Sequence, residues 1–118
     1  MLRNKNLVNQ AFQFEEAGYF SEARQICQEI LVDNPDDGDA LHLLGILCNN
    51  LGKYHQAVIF FERSLLVLGQ TPALLHNYAV ALQGLDFLDR ASKILRLTIA
   101  LDPKKIESRL RLGEIEFT

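Results

Sequence analysis

Residues 38–71 read GDALHLLGILCNNLGKYHQAVIFFERSLLVLGQT, and the architecture follows from them. Apolar or small residues fall at Leu41, Leu44, Gly45 and Cys48, then at Ala57, Phe61, Ser64, Leu65 and Leu68, the three- and four-residue spacing of one helix face. Strand alternation is absent. Gly52-Lys53 interrupts the pattern in the middle and Gly69-Gln70 ends it, so the stretch reads as two antiparallel helices joined by a short turn.

The same pattern recurs on both sides with a period of 34. Leu7, Leu41 and Leu75 lie in register, as do Ala11, Gly45, Ala79 and Gly113, then Phe14, Cys48 and Leu82. The second helix repeats through Phe20/Tyr54/Leu88, Ala23/Ala57/Ala91, Cys27/Phe61/Leu95, Ile30/Ser64/Thr98 and Leu31/Leu65/Ile99. A fixed period in the range of about 20–50 residues sets the whole architecture, because one hairpin cannot bury its apolar face alone and stacked copies share a core. Small residues at the same two places in each unit let neighbouring helices approach closely. The 118 residues therefore form one all-α domain, 1–118, with repeats at 4–37, 38–71 and 72–105 and a terminal helix at 106–117. Helices are expected at 4–17, 21–33, 38–51, 55–68, 72–85, 89–101 and 106–117. The breaks at Gly18-Tyr19 and Asp86-Phe87 and at Asn34-Pro35 and Asp102-Pro103 separate them.

Composition narrows the functions. Twelve Lys and Arg against fifteen Asp and Glu give a formal charge of −3, far from the basic balance that binding to nucleic acid requires. Residues 1–59 carry four basic and eight acidic side chains, residues 60–118 eight and seven, so the molecule is dipolar along its sequence. Asp33, Asp36, Asp37 and Asp39 mark the acidic pole, and Arg90, Lys93, Arg96, Lys104, Lys105, Arg109 and Arg111 the basic end, both read as solvated surface. The first residues lack the apolar core of a signal peptide, and no apolar run is long enough to span a membrane. A soluble, cytoplasmic protein is expected. Cys27 and Cys48, well separated and each within a helical pattern, are expected as buried reduced thiols.

These residues resemble the tetratricopeptide repeat family, whose unit has this same period. The second unit matches through Leu41, Leu44-Gly45, Ala57, Phe61 and Ser64. The third matches through Leu75, Tyr78-Ala79, Leu82, Ala91, Leu95, Thr98 and Pro103, and the first through Leu7, Ala11, Phe14, Ala23 and Pro35. Departures are Gln10, where a large apolar residue is usual, Ile30, where a small one is, and Gly69 in place of proline. The resemblance implies a right-handed α-solenoid of three helix-turn-helix hairpins plus a C-terminal capping helix. Its concave groove, lined by the first (A) helix of each unit, would bind an extended peptide or a partner helix. Groove positions then fall on Lys5, Val8, Phe12, Glu15 and Glu16, on Asp39, His42, Ile46, Asn49 and Asn50, and on Ala73, His76, Val80, Gln83 and Gly84. The last helix adds Glu107, Leu110, Glu114 and Phe117. The candidate contact residues are Phe12, His42, Ile46, Asn49, His76, Asn77 and Val80, an apolar line beside amides and imidazoles that suits a peptide with hydrophobic anchors and backbone groups to be hydrogen-bonded.

Two sub-patterns of the family test the groove further. Members that hold the C-terminal carboxylate of a chaperone use Lys, Asn and Arg at positions occupied here by Val8, Phe12, Leu43, Ala73 and Asn77, so that clamp is absent. The asparagine ladder of protein O-GlcNAc transferases is met by Asn9 and Asn77 and broken by Leu43.

Nothing in the sequence assembles a catalytic site, a metal site or a cofactor site. His42 and His76 sit on neighbouring A helices, but Asn49, Asn50 and Gln83 are poor metal ligands. The step from His42 to Cys48 along one helix is a rotation of about 600°, which puts them on different faces. If both imidazoles face the groove, binding should weaken below their ordinary pKa near 6.5. In the terminal helix, Arg109 replaces an early Leu and Glu116 an aromatic, which reads as a solvating cap with a longer chain as the rival explanation. Ile115 and Phe117 are possible adhesive residues there. The expected function is non-catalytic protein binding in the groove. The alternatives are self-association through residues 106–118, or a substrate-positioning module of a larger glycosyltransferase- or methyltransferase-type enzyme.

Overall fold

The computed structural model describes residues 2–116. The helices in chain order are α1 (Leu2–Glu16), α2 (Phe20–Asp33), α3 (Gly38–Asn50), α4 (Tyr54–Leu68), α5 (Pro72–Gly84), α6 (Leu88–Leu101) and α7 (Ile106–Glu116), all close to their expected bounds. Phe117 lies outside the described residues.

Each of the first three A helices ends the same way. Gly18, Gly52 and Asp86, at the same place in successive repeats, take φ of 88°, 73° and 64°. The following amides, of Tyr19, Lys53 and Phe87, donate back to the carbonyls of Phe14, Cys48 and Leu82 at 2.8, 2.8 and 2.9 Å. This six-to-one closure needs a left-handed residue, which glycine supplies without strain and an aspartate tolerates at a cost. The starts of α3 and α5 are capped by side chains: Asp37 Oδ1 accepts from Ala40 N–H at 3.0 Å, and Thr71 Oγ1 from Leu74 N–H at 3.3 Å, ahead of Pro72.

α1 packs on α2, α3 on α4 and α5 on α6, and each second helix packs on the next first helix, so the hairpins stack into a solenoid 44 × 26 × 23 Å. Side-chain volumes compensate inside each hairpin. A Cβ on Gly45 would lie 2.4 Å from Phe61 Cε1, so the largest fully buried side chain faces an A-helix position that has no side chain of its own. At the equivalent places Ala11 is matched by Cys27 and Ala79 by Leu95, all fully buried. The position of Ile30 in each repeat shows a similar trade. Ser64 and Thr98 are buried and donate to the carbonyls of Gly38 and Ile94, both at 2.8 Å, whereas the unusual Ile30 is buried as an apolar side chain that needs no partner.

α7 docks on α6. Ser108 is fully buried, Glu116 pairs with Arg96 of α6, and Arg109 Nε donates to Pro103 O at 3.0 Å. Ile115 is half-buried against the second core cluster, so the adhesive role expected of it is corrected: the exposed apolar residues of α7 are Ile106 and Leu110. The thiols are also corrected in part. Cys27 is buried and its pKa is pushed up to about 12 by burial and by the nearby Asp37, but Cys48 is only half-buried.

Candidate functional site

α1, α3 and α5 lie side by side, and their common face is the candidate groove. At about 100° per residue, His42, Ile46 and Asn49 share one side of α3, and Leu44, Leu47, Cys48 and Leu51 share the other. Phe12, Ile46 and Val80, one per repeat, form a half-buried line along this face. Lys5, Glu16, Asp39, Asn50, Ala73, Gly84, Glu107, Leu110 and Glu114 are exposed along it, Glu15 and Gln83 are half-buried, and Val8 is buried in the core instead of facing a ligand.

The two histidines are brought into register but serve as contacts between repeats. His42 is only 9% exposed, packs edge-on against Phe12 and Phe61 with centroids 6.3 and 6.0 Å away, and accepts at Nε2 from Asn77 Nδ2 at 2.9 Å. Burial pulls its pKa down to about 4. The expected exposed imidazole pair, titrating near 6.5, is therefore corrected: His42 is built into the core uncharged, because burial strips water from the ring and disfavours its protonated form. His76 is half-buried, its Nδ1 hydrogen-bonded to Ser108 Oγ at 2.8 Å. Burial first, then Lys105 and Arg111, lower its pKa against the opposing Glu107.

The amides form a second inter-repeat series. Asn49 Nδ2 donates to Asn77 O at 3.1 Å, and one period further on Arg111 Nη1 donates to Gln83 Oε1 at 2.8 Å. Arg111 did not figure among the candidate contacts, although adding one period to Asn77 points to it. Among the described residues, Asn49 Oδ1 is the one buried side-chain polar atom left without a hydrogen-bond partner. No group of three or more His, Cys, Asp or Glu is placed to hold a metal ion among the described residues.

The sequence profile of the tetratricopeptide repeat matches residues 26–59, a window that runs from the second helix of one hairpin into that of the next. No curated protein matches the chain. Among solved structures, a mutant O-GlcNAc transferase from Thermobaculum terrenum superposes with a TM-score of 0.90 at 23% identity, over 95% of this chain and 22% of that one. The second tetratricopeptide domain of human RPAP3, in complex with the HSP70 peptide SGPTIEEVD, superposes with a TM-score of 0.84 at 14% identity, over 98% and 96% of the two chains. The first such domain of Spaghetti (RPAP3), bound to the HSP90 peptide SRMEEVD, does so with 0.87 at 16%, over 96% and 92%. The chain folds as a tetratricopeptide-repeat solenoid. It spans about a fifth of the length of the transferase.

Within this solenoid the positions of the chaperone clamp hold no cation: Val8 and Leu43 are buried, Phe12 is half-buried, Ala73 is exposed, and Asn77 is engaged with His42. Leu43, which breaks the asparagine ladder between Asn9 and Asn77, is a fully buried member of the first core cluster. Burial and the adjacent Glu16 raise the pKa of Glu15 at the α1 end, and Lys105 and Arg111 stand beside His76 at the α7 end. Among the described residues no helix is long and apolar enough to cross a membrane.

Proposed function

We propose that the chain is a non-catalytic, cytoplasmic interaction module that binds a peptide segment of a partner protein along the A-helix face. The observation that carries this reading is the half-buried apolar line Phe12, Ile46 and Val80, one residue per repeat, along the common face of α1, α3 and α5, with the half-buried Asn49 and Gln83 on the same face. A peptide with apolar anchors would cover that line while Asn49, Asn77, Gln83 and His76 meet its polar groups. The RPAP3 domains that share this fold hold chaperone peptides. The missing clamp cations here favour a peptide chosen by apolar anchors over one chosen by a terminal carboxylate.

Selection of a displayed random-peptide library against the full chain, followed by calorimetry, tests the reading. Peptides so selected should lose at least tenfold in affinity for Val80→Arg and for Asn49→Leu, with helical content unchanged. Equal affinity for wild type and both variants would place the contact elsewhere.

A further inference from the structure

On the side of α3 away from Ile46 and Asn49, a cleft of about 490 Å³ opens between α2 and α4. The next repeat explains why it is open. In the corresponding place between α4 and α6 stands Tyr78, 6% exposed, whose hydroxyl donates to Glu62 Oε2 and accepts from Arg90 Nη2, both at 2.9 Å. Subtracting one period converts Tyr78 to Leu44, Glu62 to Gln28 and Arg90 to Gln56, and all three line the cleft. Leu44 lacks the ring and hydroxyl that fill the later space, while Gln28 and Gln56 remain as a donor and acceptor pair across it. The rim differs in charge as well. Arg24 and Lys53 line the cleft where the next repeat has Val58 and Phe87, and among the described residues no carboxylate lines it, although the chain as a whole is acidic. The half-buried Cys48 forms part of the apolar floor.

We propose that this cleft docks an acidic peptide through a tyrosine side chain. The ring occupies the volume that Tyr78 fills in the next repeat, its hydroxyl lies between the Gln28 and Gln56 amides, and flanking carboxylates meet Arg24 and Lys53. The site faces away from the A-helix groove and is independent of what binds there.

The test is titration of the full ¹⁵N-labelled chain with acetyl-Asp-Glu-Tyr-Glu-Asp-amide, alongside the rate of Cys48 alkylation by iodoacetamide, with the buried Cys27 as internal control. Saturable shifts confined to α2, α4 and the outer side of α3 are expected, with at least threefold slower Cys48 alkylation. Replacing the peptide's tyrosine by alanine should weaken binding at least tenfold. Leu44→Tyr fills the cleft from within as Tyr78 does, so it should slow Cys48 alkylation without peptide and abolish the peptide's effect. The surface variants Arg24→Glu and Lys53→Glu, which leave the core untouched, should each weaken binding severalfold. Absence of saturation at millimolar peptide, equal binding of the alanine peptide, unchanged affinity in both charge variants, or shifts centred on Ile46 and Val80 would each overturn the proposal. So would sedimentation showing that Cys48 is protected by a second copy of the chain without peptide.

Discussion

The pairing of Gly45 with Phe61 makes a prediction that propensity alone would reverse. Gly45→Ala in the interior of α3 gains about 1 kcal/mol of helix propensity. Its Cβ would lie 2.4, 2.6 and 2.7 Å from Phe61 Cε1, Cδ1 and Cζ, well inside the ~3.5–4.0 Å separation of carbon atoms in favourable contact. The ring cannot step aside freely, since Phe61 is fully buried and its other contacts include the edge of His42. Overpacking of this kind costs about 1–3 kcal/mol and more where the backbone must move. With contacts this short placing the overpacking cost at about 2–3 kcal/mol, the net expectation is destabilisation by about 1–2 kcal/mol, a fall in Tm of roughly 5–8 °C for a domain of this size. Phe61→Leu alone leaves a cavity and should cost about 1–2 kcal/mol. The double variant recreates the Ala79/Leu95 pair of the third repeat, so it should be more stable than the sum of the single changes by at least about 1 kcal/mol. Urea denaturation followed by circular dichroism measures all four proteins. A Gly45→Ala protein at least as stable as wild type, or strictly additive effects, would show that size compensation does not govern this contact.

Acid should act on stability through His42. Its folded pKa of about 4 lies below the ordinary 6.5, so the unfolded chain binds the proton first and stability falls as pH drops from about 7 toward 4. The loss is about 2 kcal/mol between pH 7 and pH 5, partly opposed by the raised carboxyl pKa values of Glu15 and Asp39. His42→Gln, which keeps an acceptor for Asn77, should flatten that slope, and an identical pH dependence of denaturation midpoints in the two proteins would contradict it. Asp86→Gly relieves a left-handed aspartate at φ 64° and should raise stability by about 0.5–1 kcal/mol, read as a higher urea midpoint. Tyr78→Phe removes the hydroxyl shared by Glu62 and Arg90 and should cost up to about 1 kcal/mol at neutral pH, with little effect on the first two repeats by hydrogen exchange.

Much of the fold is legible in the chain. The in-register Leu, small and aromatic positions specify the hairpins, and the recurring breaks at Gly18, Gly52 and Asp86 locate the turns, because helix period and left-handed turn residues are local properties. The candidate surface is half legible. Ile46, Val80 and Phe12 lie on the shared face as the helical angle requires, but that angle gives only a direction. It does not say what stands in that direction, and for His42 the answer is Asn77, Phe12 and Phe61, each contributed by a different helix.

Spacing along one chain is therefore enough to specify the repeat, its helices, its turns and the two sides of each A helix. Packing between helices settles the rest: His42 is sealed and uncharged, Asn49 keeps an unpaired acceptor, and the space Tyr78 fills in one repeat stands open beside Leu44 in another. Those outcomes depend on the volumes and hydrogen-bonding groups that three different helices bring to one point, and no single stretch of sequence carries all three.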